Sequence, residues 1–151
     1  MVHIVGAGPG DPELITVKGR RYLEEADVVI YAGSLVNPAL LAVCREDAVI
    51  HNSAKMTLDE VLAVIAEAEA AGKMTVRLHT GDPAIYGAIQ EQMDAMAKKG
   101  IAYDVVPGVS SFLAAAGPHA CAGARTAPRA RRASVDDVHL PLHHDARDGR
   151  R

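Results

Sequence analysis

Residues 2–13 read VHIVGAGPGDPE, and their order is that of a strand, a tight loop and the start of a helix. An apolar run of this length followed by glycines has the dimensions of a strand rather than a helix. Asp11 followed by Pro12 is a helix-start signal, with proline at the first helical position. Leu14, Ile15, Lys18, Tyr22 and Leu23 then fall at helical spacing up to Ala26. The same order returns in residues 76–92, VRLHTGDPAIYGAIQEQ, where a strand enters Gly81-Asp82-Pro83 and a helix is predicted from about Ala84 to Lys99, ended by Gly100.

Working outward from these two stretches, DVVIYAG is a second strand whose continuous apolar run predicts burial on both faces. Asn37-Pro38 repeats the start signal for a helix through about Arg45, and AVIHN is a weaker strand. Thr57 with Glu60 spells a capping box, opening a helix that stops at Gly72. MTVRLHT and AYDVV are the fourth and fifth strands, and PGVSSFLAAA begins one more helix. Strands alternating with helices predict right-handed βαβ units: an α/β fold with a mostly parallel sheet of about five strands and flanking helices. Ligands of such sheets sit at the carboxyl ends of the strands, where strand order reverses. The loops after strands one, two, four and five are therefore the candidate site.

Composition narrows the function classes. The chain has 151 residues, 49% of them apolar, which is enough for one domain with a genuine core. Aromatic content is 3%, with no Trp and a single Phe, Phe112, so stacking platforms for nucleic-acid bases are scarce and no nucleic-acid partner is expected. Cys44 and Cys121 have no metal-ligand spacing and cannot build a disulfide framework, so a reducing cytoplasm is the expected compartment. No run approaches the roughly 18 apolar residues of a membrane span, and the N-terminus lacks a basic stretch leading into an apolar one, so neither membrane nor secretion is expected.

Charge is uneven along the chain. Residues 1–116 carry 9 Lys and Arg against 15 Asp and Glu, whereas residues 117–151 carry 7 Arg against 4 Asp. That second stretch holds four of the seven histidines, no aromatic residue, and only Val135, Val138, Leu140 and Leu142 as large apolar side chains. Such a composition buries too little surface to offset its ordering entropy. The expected division is a folded domain at 1–116 and a disordered tail at 117–151, the tail having the composition of an out-of-frame translation of a G+C-rich gene.

The glycine loop is a poor phosphate cradle. In the dinucleotide fingerprint G-x-G-x-x-G the third glycine lets the helix pack against the strand. Here the position three after Gly8 is Asp11, and Pro9 removes a backbone N–H that would otherwise face a phosphate. An acid at a helix N-terminus also repels pyrophosphate while capping the helix. No acid follows the second strand at the place where a ribose is usually held, so a nicotinamide-dependent oxidoreductase ranks last. The loop suits close approach of an uncharged or cationic ligand, or serves as a tight turn with a cap; on its own spelling both stay open.

Taken together, VGAGPGDPELITVKG, ADVVIYAGSLV, VRLHTGDPAIYGAIQEQ and PGVSS resemble the tetrapyrrole methylase family over about residues 2–115. Within it, YAGSLVNP and RLHTGDPAIYGA look most like the branch that methylates precorrin-4 at carbon 11 in cobalamin biosynthesis. The resemblance implies S-adenosyl-L-methionine as cofactor, a precorrin tetrapyrrole as substrate, a homodimer in the intact family member, and a cofactor folded between two domains. Carried over by motif, it implies that Pro9 lines the cofactor site, that Thr80, Gly81 and Asp82 contact the methionine and ribose portion, that Ile85 packs on it, and that Ser110 and Ser111 contact it from the fifth loop. A sulfonium cation suits carboxylates and oxygen dipoles and needs no phosphate cradle. Helix capping is the competing role for Asp82 and Ser110.

The chain departs from the uroporphyrinogen-methylating members, which carry an acid after the tyrosine of the second strand and a lysine after the third. Here those places hold Ala32 and, near the second, Ser53, so no acid/base pair is carried over and the catalytic residues stay unassigned. His79 lies before the Gly-Asp loop, either as a half-buried strand end or as a group titrating near neutral pH. Arg20, Arg21, Lys55 and Arg77 are candidates to meet tetrapyrrole carboxylates, each alone also readable as a surface charge. His139, His143 and His144 have no element to fix their geometry, so no metal is expected. A chain lacking a second domain offers one wall of a cleft. It is expected to bind S-adenosyl-L-methionine weakly, to transfer no methyl group as an inactive fragment retaining the fold, and to self-associate.

Overall fold

The structure, a computed structural model, describes residues 1–85 and 89–115. The tail expected at 117–151, with Cys121 and the tail histidines, lies outside the described residues. Five strands form one parallel sheet: β1 (Val2–Gly6), β2 (Val28–Tyr31), β3 (Val49–Asn52), β4 (Thr75–His79) and β5 (Tyr103–Val106), in the order β3-β2-β4-β1-β5. Pairing places Val2 beside both Thr75 and Tyr103, so β1, β4 and the edge strand β5 run in register, with Gly6 beside His79 and Val5 beside Val106. Among the described residues, α1 (Val17–Glu25), α2 (Leu58–Ala70) and α3 (Gln90–Lys98) accompany them, and residues 111–115 are helical.

Strand alternation splits the core into two layers. Val2, Ile4, Val28 and Ile30 face α2 and α3 through Val61, Leu62, Ile65 and Met96. Val5, Val29, Val76, Leu78 and Val106 face α1 and the segment after β2 through Leu23, Ala26, Val36 and Leu40. β1 and β4 are buried along their whole length, as parallel strands covered on both faces must be. β3, at the sheet edge, is largely exposed, which explains its weaker apolar signal.

The capping box is present as predicted: the Glu60 N–H donates to Thr57 Oγ1 at 3.3 Å and the Thr57 N–H to Glu60 Oε2 at 2.7 Å. The other helix starts need correcting. Asp11-Pro12 opens only a single 3-10 turn, Pro12–Leu14, and α1 begins after Thr16, whose hydroxyl accepts from the Gly19 N–H at 3.1 Å. The break places partly buried Ile15 in the core beside α1. Asn37-Pro38 likewise opens a 3-10 segment, Pro38–Val43, rather than an α-helix to Arg45. α3 begins at Gln90 rather than Ala84; residues 83–85 form a turn after β4, and 86–88 lie outside the described residues. Among the described residues no helix is long and apolar enough to cross a membrane.

Candidate functional site

Order in the sheet reverses around β1 and β4, and their following loops meet at that point. Gly8 and Gly81 form an antiparallel bridge, with Gly8 N–H donating to the Gly81 carbonyl at 3.2 Å and Gly81 N–H to the Gly8 carbonyl at 2.8 Å. The Ala7 N–H donates to the His79 carbonyl at 2.6 Å. Asn37, from the loop after β2, donates its side-chain amide to the Gly10 carbonyl at 2.7 Å, tying that loop to the first. The loop after β5 closes the arrangement: an ideal Cβ on Gly6 would lie 2.6 Å from Gly108 Cα, Gly108 N and the Gly81 carbonyl oxygen. Only glycines permit three backbones to approach so closely.

Around this junction lies an open cleft of about 840 Å³, lined by Gly8, Pro9, Leu35, His79, Thr80, Gly81, Asp82, Ile85, Ser110, Ser111 and Phe112. All seven residues assigned from the sequence, Pro9, Thr80, Gly81, Asp82, Ile85, Ser110 and Ser111, are in that lining. They come from the loops after β1, β4 and β5, and Leu35 adds the loop after β2. Gly8, Leu35 and Phe112 were not singled out as site residues by their motifs. Leu35 and Phe112 are 75% and 74% exposed, an arrangement that leaves two large apolar side chains on the rim. Their signal in the sequence is position: each sits in a loop that follows a strand end.

The hydrogen bonding argues against a phosphate ligand. The Ala7 and Gly8 N–H groups are consumed between loops and Pro9 has none, so three consecutive positions offer no donor to an anion. The α1 N-terminus lies beyond Thr16, separated in the chain from the glycines by the 3-10 turn Pro12–Leu14. Asp82 Oδ1 accepts from the Ala84 N–H at 2.8 Å, and Asp11 Oδ1 from the Glu13 N–H at 2.9 Å. The two aspartates thus make the same local turn. Asp11 is exposed and outside the cleft, whereas Asp82 is half-buried within it. The capping role expected for Asp82 is a turn cap, because α3 starts later. For Ser110, it is the backbone carbonyl that accepts, from the Leu113 and Ala114 N–H groups at 3.0 and 3.1 Å, as residues 111–115 enter a helical turn.

β4 buries two basic side chains, Arg77 and His79. Arg77 is 7% exposed; its Nη1 donates to the Ile30 carbonyl at 3.1 Å and its Nε to Gln92 Oε1 at 3.0 Å. No carboxylate pairs with it among the described residues. Burial pushes its guanidinium down to about 10, which leaves it cationic at neutral pH. Arg77 is therefore neither a surface charge nor a cleft residue. Arg20 is engaged with Glu24 at 2.8 Å. His79 is pushed from an ordinary 6.5 down to about 4, first by burial and then by the charge of Arg77. The expectation of titration near neutral pH is corrected accordingly: the ring is neutral there.

Ala32 and Ser53 are both engaged in backbone contacts. The Ala32 N–H donates to the Leu78 carbonyl at 3.1 Å, and Ser53 Oγ donates to the Tyr31 carbonyl at 2.9 Å, so both are occupied in holding β2 to its surroundings. Among the described residues, no group of three or more His, Cys, Asp or Glu side chains is placed to hold a metal ion.

The depressed His79 value has a consequence for stability. A neutral ring in the folded state takes up its proton at lower pH than in the unfolded chain, so stability is fully present above about pH 6.5 and falls as pH drops toward 4. The loss reaches about 3 kcal/mol at the acid end. Urea titrations of the chain and of His79→Gln at pH 7 and pH 5 check this: the variant is expected to lose less stability between the two values. Equal losses would place the acid sensitivity elsewhere.

A family model described as Tetrapyrrole (Corrin/Porphyrin) Methylases matches residues 1–134. The cobalt-precorrin-4 C(11)-methyltransferase of Methanocaldococcus jannaschii is 60% identical over 114 residues, covering 76% of this chain and 44% of that protein. The X-ray structure of a cobalamin biosynthetic enzyme, cobalt precorrin-4 methyltransferase, superposes with a TM-score of 0.76 at 50% identity, covering 78% of this chain and 49% of that one. Uroporphyrin-III C-methyl transferase from Thermus thermophilus, complexed with S-adenyl homocysteine, superposes with a TM-score of 0.64 at 38% identity, covering 76% of this chain and 47% of that one. The chain thus spans just under half the length of each of these relatives. Motifs, sheet order and comparisons agree: the chain belongs to the tetrapyrrole (corrin/porphyrin) methylase family.

Proposed function

We propose that this chain forms the cofactor-binding half of an S-adenosyl-L-methionine-dependent C-methyltransferase that acts on precorrin-4 at carbon 11 in cobalamin biosynthesis. The observation that carries the proposal is the gathering of Pro9, Thr80, Gly81, Asp82, Ile85, Ser110 and Ser111 around one cleft at the sheet's reversal point. The relative named for cobalt-precorrin-4, at 60% identity, supports the substrate class. A homodimeric assembly belongs to the same proposal and follows from the family resemblance.

The cleft fits the cofactor's chemistry. S-adenosyl-L-methionine supplies an electrophilic methyl group on a sulfonium. The Asp82 carboxylate, with the oxygens of Thr80, Ser110 and Ser111, offers a cation negative charge and dipoles. Pro9, Leu35, Ile85 and Phe112 present apolar surface to a flat heterocycle, and the internally paired amides of the first loop give nothing to an anion. With Ala32 and Ser53 at the places of an acid/base pair, no general base is assigned among these residues. Their work is to hold the two reactants close and aligned, which by itself lowers a bimolecular barrier substantially.

Asp82 and Asp11 separate ligand binding from capping. Asparagine keeps the oxygen that accepts from the backbone, so Asp82→Asn and Asp11→Asn are each expected to cost about 1 kcal/mol of stability or less. Only Asp82→Asn is expected to weaken binding of S-adenosylhomocysteine, by about tenfold, the worth of one charge-assisted contact. Calorimetric titration of both variants checks this; equal affinities would remove Asp82 from the site.

The function itself is tested in a chimera that continues residue 115 of this chain into the second half of the Methanocaldococcus jannaschii relative. Labelled methyl from S-adenosyl-L-methionine is expected at carbon 11 of precorrin-4, offered metal-free and with cobalt. A chimera that folds and binds cofactor yet transfers no methyl would support the alternative, an inactive domain that keeps the fold.

A further inference from the structure

His79 is not among the residues that the motif assigns to cofactor binding, yet it ends β4 directly before Thr80, Gly81 and Asp82 and lines the same cleft. It is only 8% exposed, and its Nε2 is buried with no hydrogen-bond partner among the described residues. Leaving a buried polar atom unpaired is unfavourable, so such an atom needs an explanation. The ring is held in place through its own backbone: the His79 carbonyl takes the short bond from the Ala7 N–H, and β1 runs beside it in register at Gly6. Nearby, Asp82 Oδ1 accepts from the Ala84 N–H, and Arg77, two positions back on the same face of β4, donates to the Ile30 carbonyl and to Gln92.

We propose that His79 is a hydrogen-bonding contact for the ribose of an adenosyl ligand, its Nε2 completed by a hydroxyl group of the bound molecule. The chemistry selects a hydroxyl. A neutral imidazole offers one donor and one acceptor nitrogen, and a hydroxyl both donates and accepts, so it satisfies Nε2 in either tautomer. A carboxylate accepts only, so it satisfies Nε2 in one tautomer and not in the other. Neutrality also keeps a second positive charge away from a sulfonium in the same cleft. Arg77, two positions back on β4 and outside the lining, adds its charge to the burial that keeps the ring neutral.

The inference rests on the cofactor reading above, and its test separates the two. The full 151-residue chain, labelled with ¹⁵N-histidine and assigned, is titrated with S-adenosylhomocysteine, weak binding being sufficient for fast-exchange shifts. The His79 Nε2 resonance is expected to move saturably, with the ring still neutral. The 2′-deoxy and 3′-deoxy analogues are then compared. One of them is expected to bind the wild type about threefold to tenfold more weakly than the parent ligand, as for one lost hydrogen bond. In His79→Phe that difference is expected to vanish. Saturable binding that leaves the His79 resonances unmoved, or a deoxy penalty that persists in the variant, overturns the inference and leaves the cofactor reading standing. Absence of any binding to the wild type overturns both. The wild-type titration does not depend on the variant folding.

Discussion

Replacing Gly108 with alanine is expected to destabilise the chain by about 3 kcal/mol or more and to abolish the cleft. The added Cβ would stand 2.1 Å from the Gly81 carbonyl oxygen, 2.8 Å from Gly6 Cα and 3.0 Å from the Gly6 carbonyl carbon. All three are backbone atoms, at the end of β1 and in the loop after β4, so no side chain can swing aside to make room. Relief requires the loop after β5 to move off the other two, carrying Ser110, Ser111 and Phe112 away from Asp82. Overpacking a flexible side chain usually costs about 1–3 kcal/mol, and backbone against backbone lies at or beyond the upper end of that range. A urea titration gives the stability and a fluorescent or calorimetric ligand titration gives the cleft. A Gly108→Ala chain that keeps both within about 0.5 kcal/mol of the original contradicts the three-loop contact.

Leu78→Ala is expected to cost about 2–5 kcal/mol. Leu78 is fully buried in the centre of β4, on the layer shared with Val5, Val29, Leu23 and Leu40. Removing most of its side chain loses transfer energy and leaves a cavity in a layer covered by one helix and a 3-10 segment, with little freedom to collapse. Val17→Ala serves as the comparison. Val17 is 89% exposed at the first position of α1 and its truncation is expected to stay within about 0.5 kcal/mol. Denaturation midpoints of the two variants decide the matter; comparable losses would mean that the two-layer packing of this sheet is misassigned.

Local signals were the ones most legible in the sequence. All five strands stand where apolar runs placed them, and the Thr57–Glu60 box is present in full, because a capping box is written in four adjacent residues. The Asx-Pro pairs were misread for the same reason of locality. Asp11-Pro12 and Asn37-Pro38 each satisfy a turn as well as a helix start, and only packing, with Ile15 and Leu40 needed in the core, decides that the turn stops there. The candidate site was legible as a set of strand-end loops because parallel-sheet topology brings such loops together. What the sequence could not show is long-range. The approach of Gly108 to Gly6 and Gly81, the exposure of Leu35 and Phe112 on one rim, and the burial that keeps His79 neutral all depend on residues far apart in the chain.

The measurement that bears most directly on the cofactor site is a paired calorimetric titration of the chain with S-adenosylhomocysteine and with NAD. The arrangement of Asp82, Pro9 and the paired Gly8 and Gly81 amides predicts saturable heat with S-adenosylhomocysteine, reduced by Asp82→Asn, and none with NAD. Binding of NAD in preference to S-adenosylhomocysteine would contradict the account, since it would require the first loop to cradle a pyrophosphate with amides that the structure has already committed.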